Sequence, residues 1–313
     1  KTSSSYRAVV DHHVDRLDVE AQQCVQLTST NSSIGLIYAL KKIYIKDIEL
    51  IMKFGITQGR LTDTKRNILQ KFPKNWKKEF DYLNKTHLDY IEFFLEKKIN
   101  LKNPIWTSNG RKTINKLIKK TKLKYSIVCD NYIINKSLKS KKILKYYSRL
   151  FLLLKKIHCK LLIVPLEGIN LIKVDEYNSI IEFIKKINLM SKKSNVNLSF
   201  EFNGDISIFK KIIEDTKIIN LQITFDTGNF FVKNRNLAKT LKQYETYINH
   251  VHLKDRDKFG NNVVLGTGLI NFSQVMKFLK SKNYKRCLTF ETHRGINAIL
   301  TANKNFSQIK NFS

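Results

Sequence analysis

Val196-Asn197-Leu198-Ser199-Phe200-Glu201-Phe202-Asn203, Leu221-Gln222-Ile223-Thr224-Phe225-Asp226, His250-Val251-His252-Leu253-Lys254 and Cys287-Leu288-Thr289-Phe290-Glu291-Thr292-His293 share one pattern. Polar and apolar residues alternate in each, and successive side chains of an extended strand point to opposite faces. Ser199, Glu201 and Asn203 therefore share a face, as do Gln222, Thr224 and Asp226. The same phase groups His250, His252 and Lys254, and then Thr289, Glu291 and His293. In each run an acid or imidazole falls near the C-terminal end.

Working outward, eight runs read as strands: Lys53–Gln58, Leu88–Phe94, Lys124–Cys129, Lys160–Pro165, Val196–Phe202, Leu221–Asp226, His250–Leu253 and Cys287–Glu291. Helical periods lie between them. Trp76, Phe80 and Leu83 share a face behind Asn75 as N-cap; Ile143, Tyr147, Leu150, Phe151 and Leu154 form a second stripe. Ile180, Ile184 and Ile187 form a third, and Leu237, Leu241, Tyr244 and Ile248 a fourth. Because 22 residues follow Glu291, the last helix is expected to be short. Strands alternating with helices over about 255 residues predict an α/β fold, the (β/α)8 TIM barrel with a parallel eight-stranded barrel inside a ring of helices.

A composition shift sets the expected boundary. Residues 1–33 contain one lysine, Lys1, whereas a Lys/Ile/Asn texture takes over from Lys41. The domain is expected to run over 52–313, with 1–51 an N-terminal extension outside it and His12-His13 a solvated pair. Ile34–Met52 comes nearest to a membrane span but is broken by Lys41, Lys42, Lys46, Asp47 and Glu49, so no membrane association is expected. No secretory leader is expected where Lys1–Ser5 leads into a charged stretch, and Cys24, Cys129, Cys159 and Cys287 form no C-x-x-C pair. These features fit a reducing cytoplasm and argue against a disulfide framework or zinc ribbon.

The formal net charge is +31, carried by 47 Lys and 10 Arg against 26 acids. Specific nucleic-acid recognition favours Arg, whose planar fork grips phosphate and guanine in bidentate fashion. A Lys/Ile/Asn-rich chain with three Pro and 11 Gly reads instead as AT-rich coding bias. Its positive field favours attraction of a phosphorylated small substrate.

Glu201, Asp226, His252 and Glu291 put four ligand-type residues on four consecutive strands, at the end where TIM-barrel sites are built. Three carboxylates and an imidazole suit one divalent cation, Mn2+, Mg2+, Co2+ or Zn2+, without choosing among them. Without a cation such acids repel one another. His87 and His158 precede strands at the opposite end and read as surface residues.

Lys53-Phe54-Gly55-Ile56-Thr57-Gln58-Gly59-Arg60-Leu61, then Phe72-Pro73, Trp76, Glu79-Phe80 and Ile91-Glu92, resemble the start of xylose-isomerase-like TIM-barrel proteins, described as sugar phosphate isomerases/epimerases. Phe225-Asp226-Thr227-Gly228-Asn229, His250-Val251-His252-Leu253-Lys254-Asp255-Arg256 and Leu265-Gly266-Thr267-Gly268 resemble its later motifs. The resemblance implies metal ligation by Glu201, Asp226, His252 and Glu291. It implies proton transfer by Glu201 and Glu291 through an enediolate, and a small sugar or sugar phosphate as substrate. Arg256 matches a position beside substrate, with a rim salt bridge to Asp255 or Asp257 as its structural alternative. Lys254, Asn229 and Gln58 complete the candidate substrate contacts, Lys254 equally suiting a pair with Glu291. Gly266 and Gly268 fit a loop passing close over a ligand, or a plain tight turn.

Two departures bear on substrate. Asn229 stands where many ketose epimerases carry histidine, and Ser207 where some carry an acid. Two other functions share the fold. An apurinic-endonuclease-like DNA repair enzyme needs ligands for three zinc ions, and here the early strands end in Gln58, Glu92, Cys129 and Pro165. A non-catalytic sugar-binding barrel has no need of the four convergent ligands. Oligomeric state is left open, a homo-oligomer included.

Overall fold

A computed structural model describes residues 52–63, 69, 71–166 and 174–312. The expectations for residues 1–51, including His12-His13 and Cys24, lie outside the described residues. Eight parallel strands close into a barrel: β1 (Lys53–Thr57), β2 (Tyr90–Leu95), β3 (Ser126–Asp130), β4 (Cys159–Pro165), β5 (Asn197–Glu201), β6 (Ile223–Asp226), β7 (Ile248–Leu253) and β10 (Cys287–Phe290). β10 closes the ring by pairing with both β7 and β1. Between β7 and β10, β8 (Asp255–Arg256) and β9 (Asn262–Val263) form a small antiparallel hairpin.

The helices are α1 (Lys78–Leu83), α2 (Ser108–Ile118), α3 (Lys141–Lys155), α4 (Val174–Ser194), α5 (Ile206–Thr216), α6 (Thr227–Lys233), α7 (Leu237–Tyr244), α8 (Phe272–Ser281) and α9 (Ala298–Lys310). Apolar stripes recurring every three to four residues set their inward faces. On α3 the stripe is Ile143, Tyr146, Tyr147, Leu150, Phe151 and Leu154, all buried. Three expectations are corrected. α9 runs 13 residues, so the last helix is not short. α1 starts at Lys78 after a turn over 74–77, so Asn75 is not its cap. Ile248 opens β7 and does not extend the α7 stripe. The β8–β9 hairpin was not foreseen.

Period two divides the strand side chains between two cores. Phe54, Ile56, Phe93, Val128, Leu162, Phe200, Phe225, Val251 and Phe290 belong to the large outer core shared with the helices. Tyr90, Ile127, Cys129, Leu161, Ile163 and Cys287 form a separate, smaller cluster inside the ring. The Tyr90 ring lies against Gly55, where a Cβ would come within 2.3 Å of it. Its hydroxyl donates to Leu288 O at 3.0 Å or meets Thr289 Oγ1 at 2.8 Å. From β5 onward the interior turns polar, and Ser199, Thr224, His250 and Thr289 are fully buried there.

Candidate metal centre at the C-terminal mouth of the barrel

Strand register sets the height of each ligand. Asp226 and Thr289 both lie opposite His252 in the ladder, and Glu201 lies opposite Pro165 and Thr224. Glu291 follows β10 directly, its N–H donating to Leu253 O at 3.1 Å. Each of Glu201, Asp226, His252 and Glu291 offers one ligand atom, and these four atoms lie within 4.8 Å of one another. His252 Nδ1 lies 3.4 Å from Glu291 Oε2, 3.8 Å from Glu201 Oε2 and 3.9 Å from Asp226 Oδ2. It is buried without a well-formed hydrogen bond, an expensive arrangement for a polar atom.

That orphaned nitrogen tests the fit of a cation. A tetrahedral site with bonds of ~2.1 Å separates its ligands by ~3.4 Å, close to the spacing seen here. Hard carboxylate oxygens with one imidazole suit a divalent ion, and the four residues named from strand phase would hold it.

Lys254 joins the same cluster. Its Nζ lies 2.8 Å from Asp226 Oδ2 and 2.9 Å from Glu291 Oε2, which favours its pairing role over a free anion contact. Burial works against the ammonium, but Asp226, Glu291 and Glu201 hold its pKa above the ordinary lysine range. Burial likewise opposes charge on Glu291, yet Lys254, His252 and Arg60 hold its carboxyl well below the usual carboxylate range. Three carboxylates, one ammonium and a dication would sum to zero charge.

Asn229 and Arg256 form the next layer. Asp226 Oδ1 caps α6 by accepting Asn229 N at 2.7 Å, which turns the chain back over the mouth. Asn229 Nδ2 then donates to Glu201 Oε1 at 2.7 Å, and its Oδ1 accepts from Arg256 Nη2 at 2.8 Å. Arg256 also donates to Gly260 O at 3.0 Å. The guanidinium thus faces Asn229 and the hairpin, where the alternative was a rim salt bridge. Asp255 instead accepts four backbone N–H groups, from Arg256, Gly266, Gly268 and Ile270. This binds the Leu265–Gly268 loop to the strand end, and a Cβ on Gly268 would lie 2.3 Å from Asp255 Oδ1.

Gln58 is fully buried at the end of β1, its Nε2 without a hydrogen-bond partner. Nearby, Glu79 Oε1 accepts the backbone N–H groups of Gly59, Leu61 and Thr62. Burial pushes the Glu79 carboxyl up to about 7. Ser207 is exposed and bonded to Asp205, and His293 Nε2 donates to Asn262 O, away from the ligand cluster. His87 and His158 are exposed.

Sequence reasoning passed over Glu92 as a site residue. It lies on β2, fully buried, and its carboxylate contacts His250, His252 and Thr289. Its signal was a lone acid inside the apolar run Tyr90-Ile91-Glu92-Phe93-Phe94-Leu95.

A family model described as xylose isomerase-like TIM barrel matches residues 80–310. The chain belongs to this family. An uncharacterized protein of Methanocaldococcus jannaschii is 25% identical over 244 residues, covering 74% of this chain and 89% of that protein. Inosose dehydratase of Clostridium perfringens is 23% identical over 151 residues, 41% of this chain and about half (51%) of that enzyme. Among solved structures, L-ribulose 3-epimerase superposes with a TM-score of 0.66 at 14% identity, over 84% of this chain and 94% of that one. The IolI protein with a zinc atom bound superposes with a TM-score of 0.62 at 18% identity, over 83% and 96%. At these identities the structural likeness is one of fold. Among the described residues, no helix is long and apolar enough to cross a membrane.

Proposed function

We propose that this protein is a divalent-metal-dependent isomerase or epimerase of a sugar or sugar phosphate. The observation that carries this reading is the convergence of Glu201, Asp226, His252 and Glu291 about one point, with the buried His252 Nδ1 facing three carboxylates without a well-formed hydrogen bond. When bound, a divalent cation polarises the substrate carbonyl and its neighbouring hydroxyl and so stabilises an enediolate.

The chain supplies the rest. Glu201 and Glu291 reach the mouth from strands separated by β6 and β7, as two-sided proton transfer at a carbon beside a carbonyl requires. Asn229 fixes the rotamer of Glu201 through Oε1. Lys254 limits the repulsion between Asp226 and Glu291, and Arg256 offers a charged donor at the rim for a hydroxyl or phosphate oxygen. Aldose–ketose isomerisation and epimerisation share this proton transfer.

A dehydration is the second reading, favoured by the partial likeness to inosose dehydratase. It begins with the same proton abstraction and ends with loss of a hydroxyl. The DNA-repair reading draws less support, because the two ligand clusters among the described residues share His252.

The test is a screen of sugars and sugar phosphates in D2O with the full chain, with and without Mn2+, followed by proton NMR. Metal-dependent exchange of a substrate C–H with retained carbon skeleton is expected, and an enol or enone product would favour dehydration. A chain that binds no divalent cation at micromolar concentrations would refute both.

A further inference from the structure

We propose that Glu92 is a positioning residue that sets the tautomer and ring orientation of His252, presenting Nδ1 as the metal ligand. This rests on the metal reading above and adds a part to it. Glu92 reaches across the barrel interior from β2 to β7 and β10. Its Oε2 lies 2.9 Å from His250 Nε2 and accepts from Thr289 Oγ1 at 2.7 Å, while Oε1 lies 3.1 Å from His252 Nε2. The two imidazoles stand edge to face, with centroids 5.2 Å apart at 88°.

An ionised carboxylate only accepts hydrogen bonds, so an imidazole nitrogen at 3.1 Å must carry its proton toward it. With Nε2–H committed to Glu92, Nδ1 is the nitrogen left to take a cation, and it is the atom that faces Glu201, Asp226 and Glu291. The ring cannot rotate to offer Nε2 to the ligand cluster without leaving Glu92 fully buried and short of a donor, a penalty of the kind that makes buried polar pairs persistent. Thr289 and His250 hold Glu92 in turn, and Tyr90 meets Thr289 Oγ1 from the layer beneath.

Glu92, His250 and His252 also lie close enough to hold an ion themselves. Glu92 Oε2, however, already meets His250 Nε2, His252 Nε2 and Thr289 Oγ1 within 2.7–3.2 Å, so an ion on that oxygen would displace all three. The outer carboxylate role is therefore favoured over ligation.

The test measures Mn2+ affinity of the full chain by EPR titration, with circular dichroism to confirm folding. Partners that orient a ligating histidine typically change metal affinity about 10–100-fold. Glu92→Gln keeps one acceptor oxygen and should weaken binding about 10-fold, and Glu92→Leu, which keeps none, more. Phe93→Leu, which loosens the outer face of the same strand, should leave affinity within about twofold. As a measurement independent of any variant, 15N histidine spectra of the Zn2+-loaded chain should show His252 protonated at Nε2 and liganded through Nδ1. This second measurement decides the question if Glu92→Leu does not fold. Wild-type affinity in folded Glu92→Gln, or zinc on Nε2, overturns the proposal. A wild-type chain that binds no metal overturns the functional reading instead.

Discussion

Lys254→Met isolates the electrostatic design of the mouth. The ammonium is 6% exposed and sits 2.8 and 2.9 Å from two carboxylate oxygens. Breaking a buried pair from one side typically costs about 3–5 kcal/mol, because the remaining charge stays buried and uncompensated. For a domain of this size 1 kcal/mol moves Tm by about 2–4 °C, so the metal-free variant should melt ~6–20 °C lower. A divalent cation reverses the comparison. Methionine removes a positive charge that opposes cation entry, and two unit charges ~4 Å apart interact by ~4 kcal/mol at an effective dielectric of ~20. Mn2+ should therefore raise Tm more in Lys254→Met than in the wild type. The assay is thermal melting of both proteins in chelator and in saturating Mn2+. Equal melting temperatures in chelator, or a smaller Mn2+ increment in the variant, would refute this account of Lys254.

Glu291→Gln keeps the side-chain shape and one oxygen for the proposed metal but removes the proposed base, so deuterium wash-in at the substrate carbon should fall by roughly 100-fold or more. Full exchange with metal bound would leave Glu291 as a ligand alone. Glu79 gives a pH signature. Its carboxyl is raised from 4.5 to about 7 in the fold, so the protonated form is favoured by folding. That contribution, about 3 kcal/mol, is fully present below pH 4.5 and lost as pH rises through 7. Urea melts at pH 5 and 7.5 should show the loss in the wild type and not in Glu79→Gln; parallel profiles would contradict it. Finally, we propose that residues 1–51 lie outside the domain, so Met52–Ser313 expressed alone should melt cooperatively; failure to fold would show the extension to be required.

Strand phase grouped Glu201, Asp226 and His252, whose ligand atoms the structure brings within 4.8 Å of one another, because period two holds while the backbone is extended. It overreached where the strand ends. Asn203 lies past β5 and is only half-buried, and His293 turns away to Asn262. Gln222 precedes β6 and pairs with Arg286. Glu92 shares the inward phase of Tyr90 and Phe94, but its apolar neighbours made the run read as ordinary core. The β8–β9 hairpin could not be read from pattern at all, since strands of two residues carry no period. It is held by Asp255 bonding across to Gly266, Gly268 and Ile270, a contact between residues 11 to 15 apart in sequence.

The packed layer beneath the ligands makes the barrel a cup and not a pipe. Tyr90 closes over Gly55, and Ile127, Cys129, Leu161, Ile163 and Cys287 fill the space around it. On the proposed function, a proton taken from a substrate carbon would meet this packed layer of described residues, and not water, below the site. It must return to the substrate or leave by the same mouth through which the substrate came. A sugar bound over that mouth would shield the captured proton from bulk water, and its return should compete with exchange. Partial retention of an isotopic label across one turnover is the trace such a dead-ended chamber would leave.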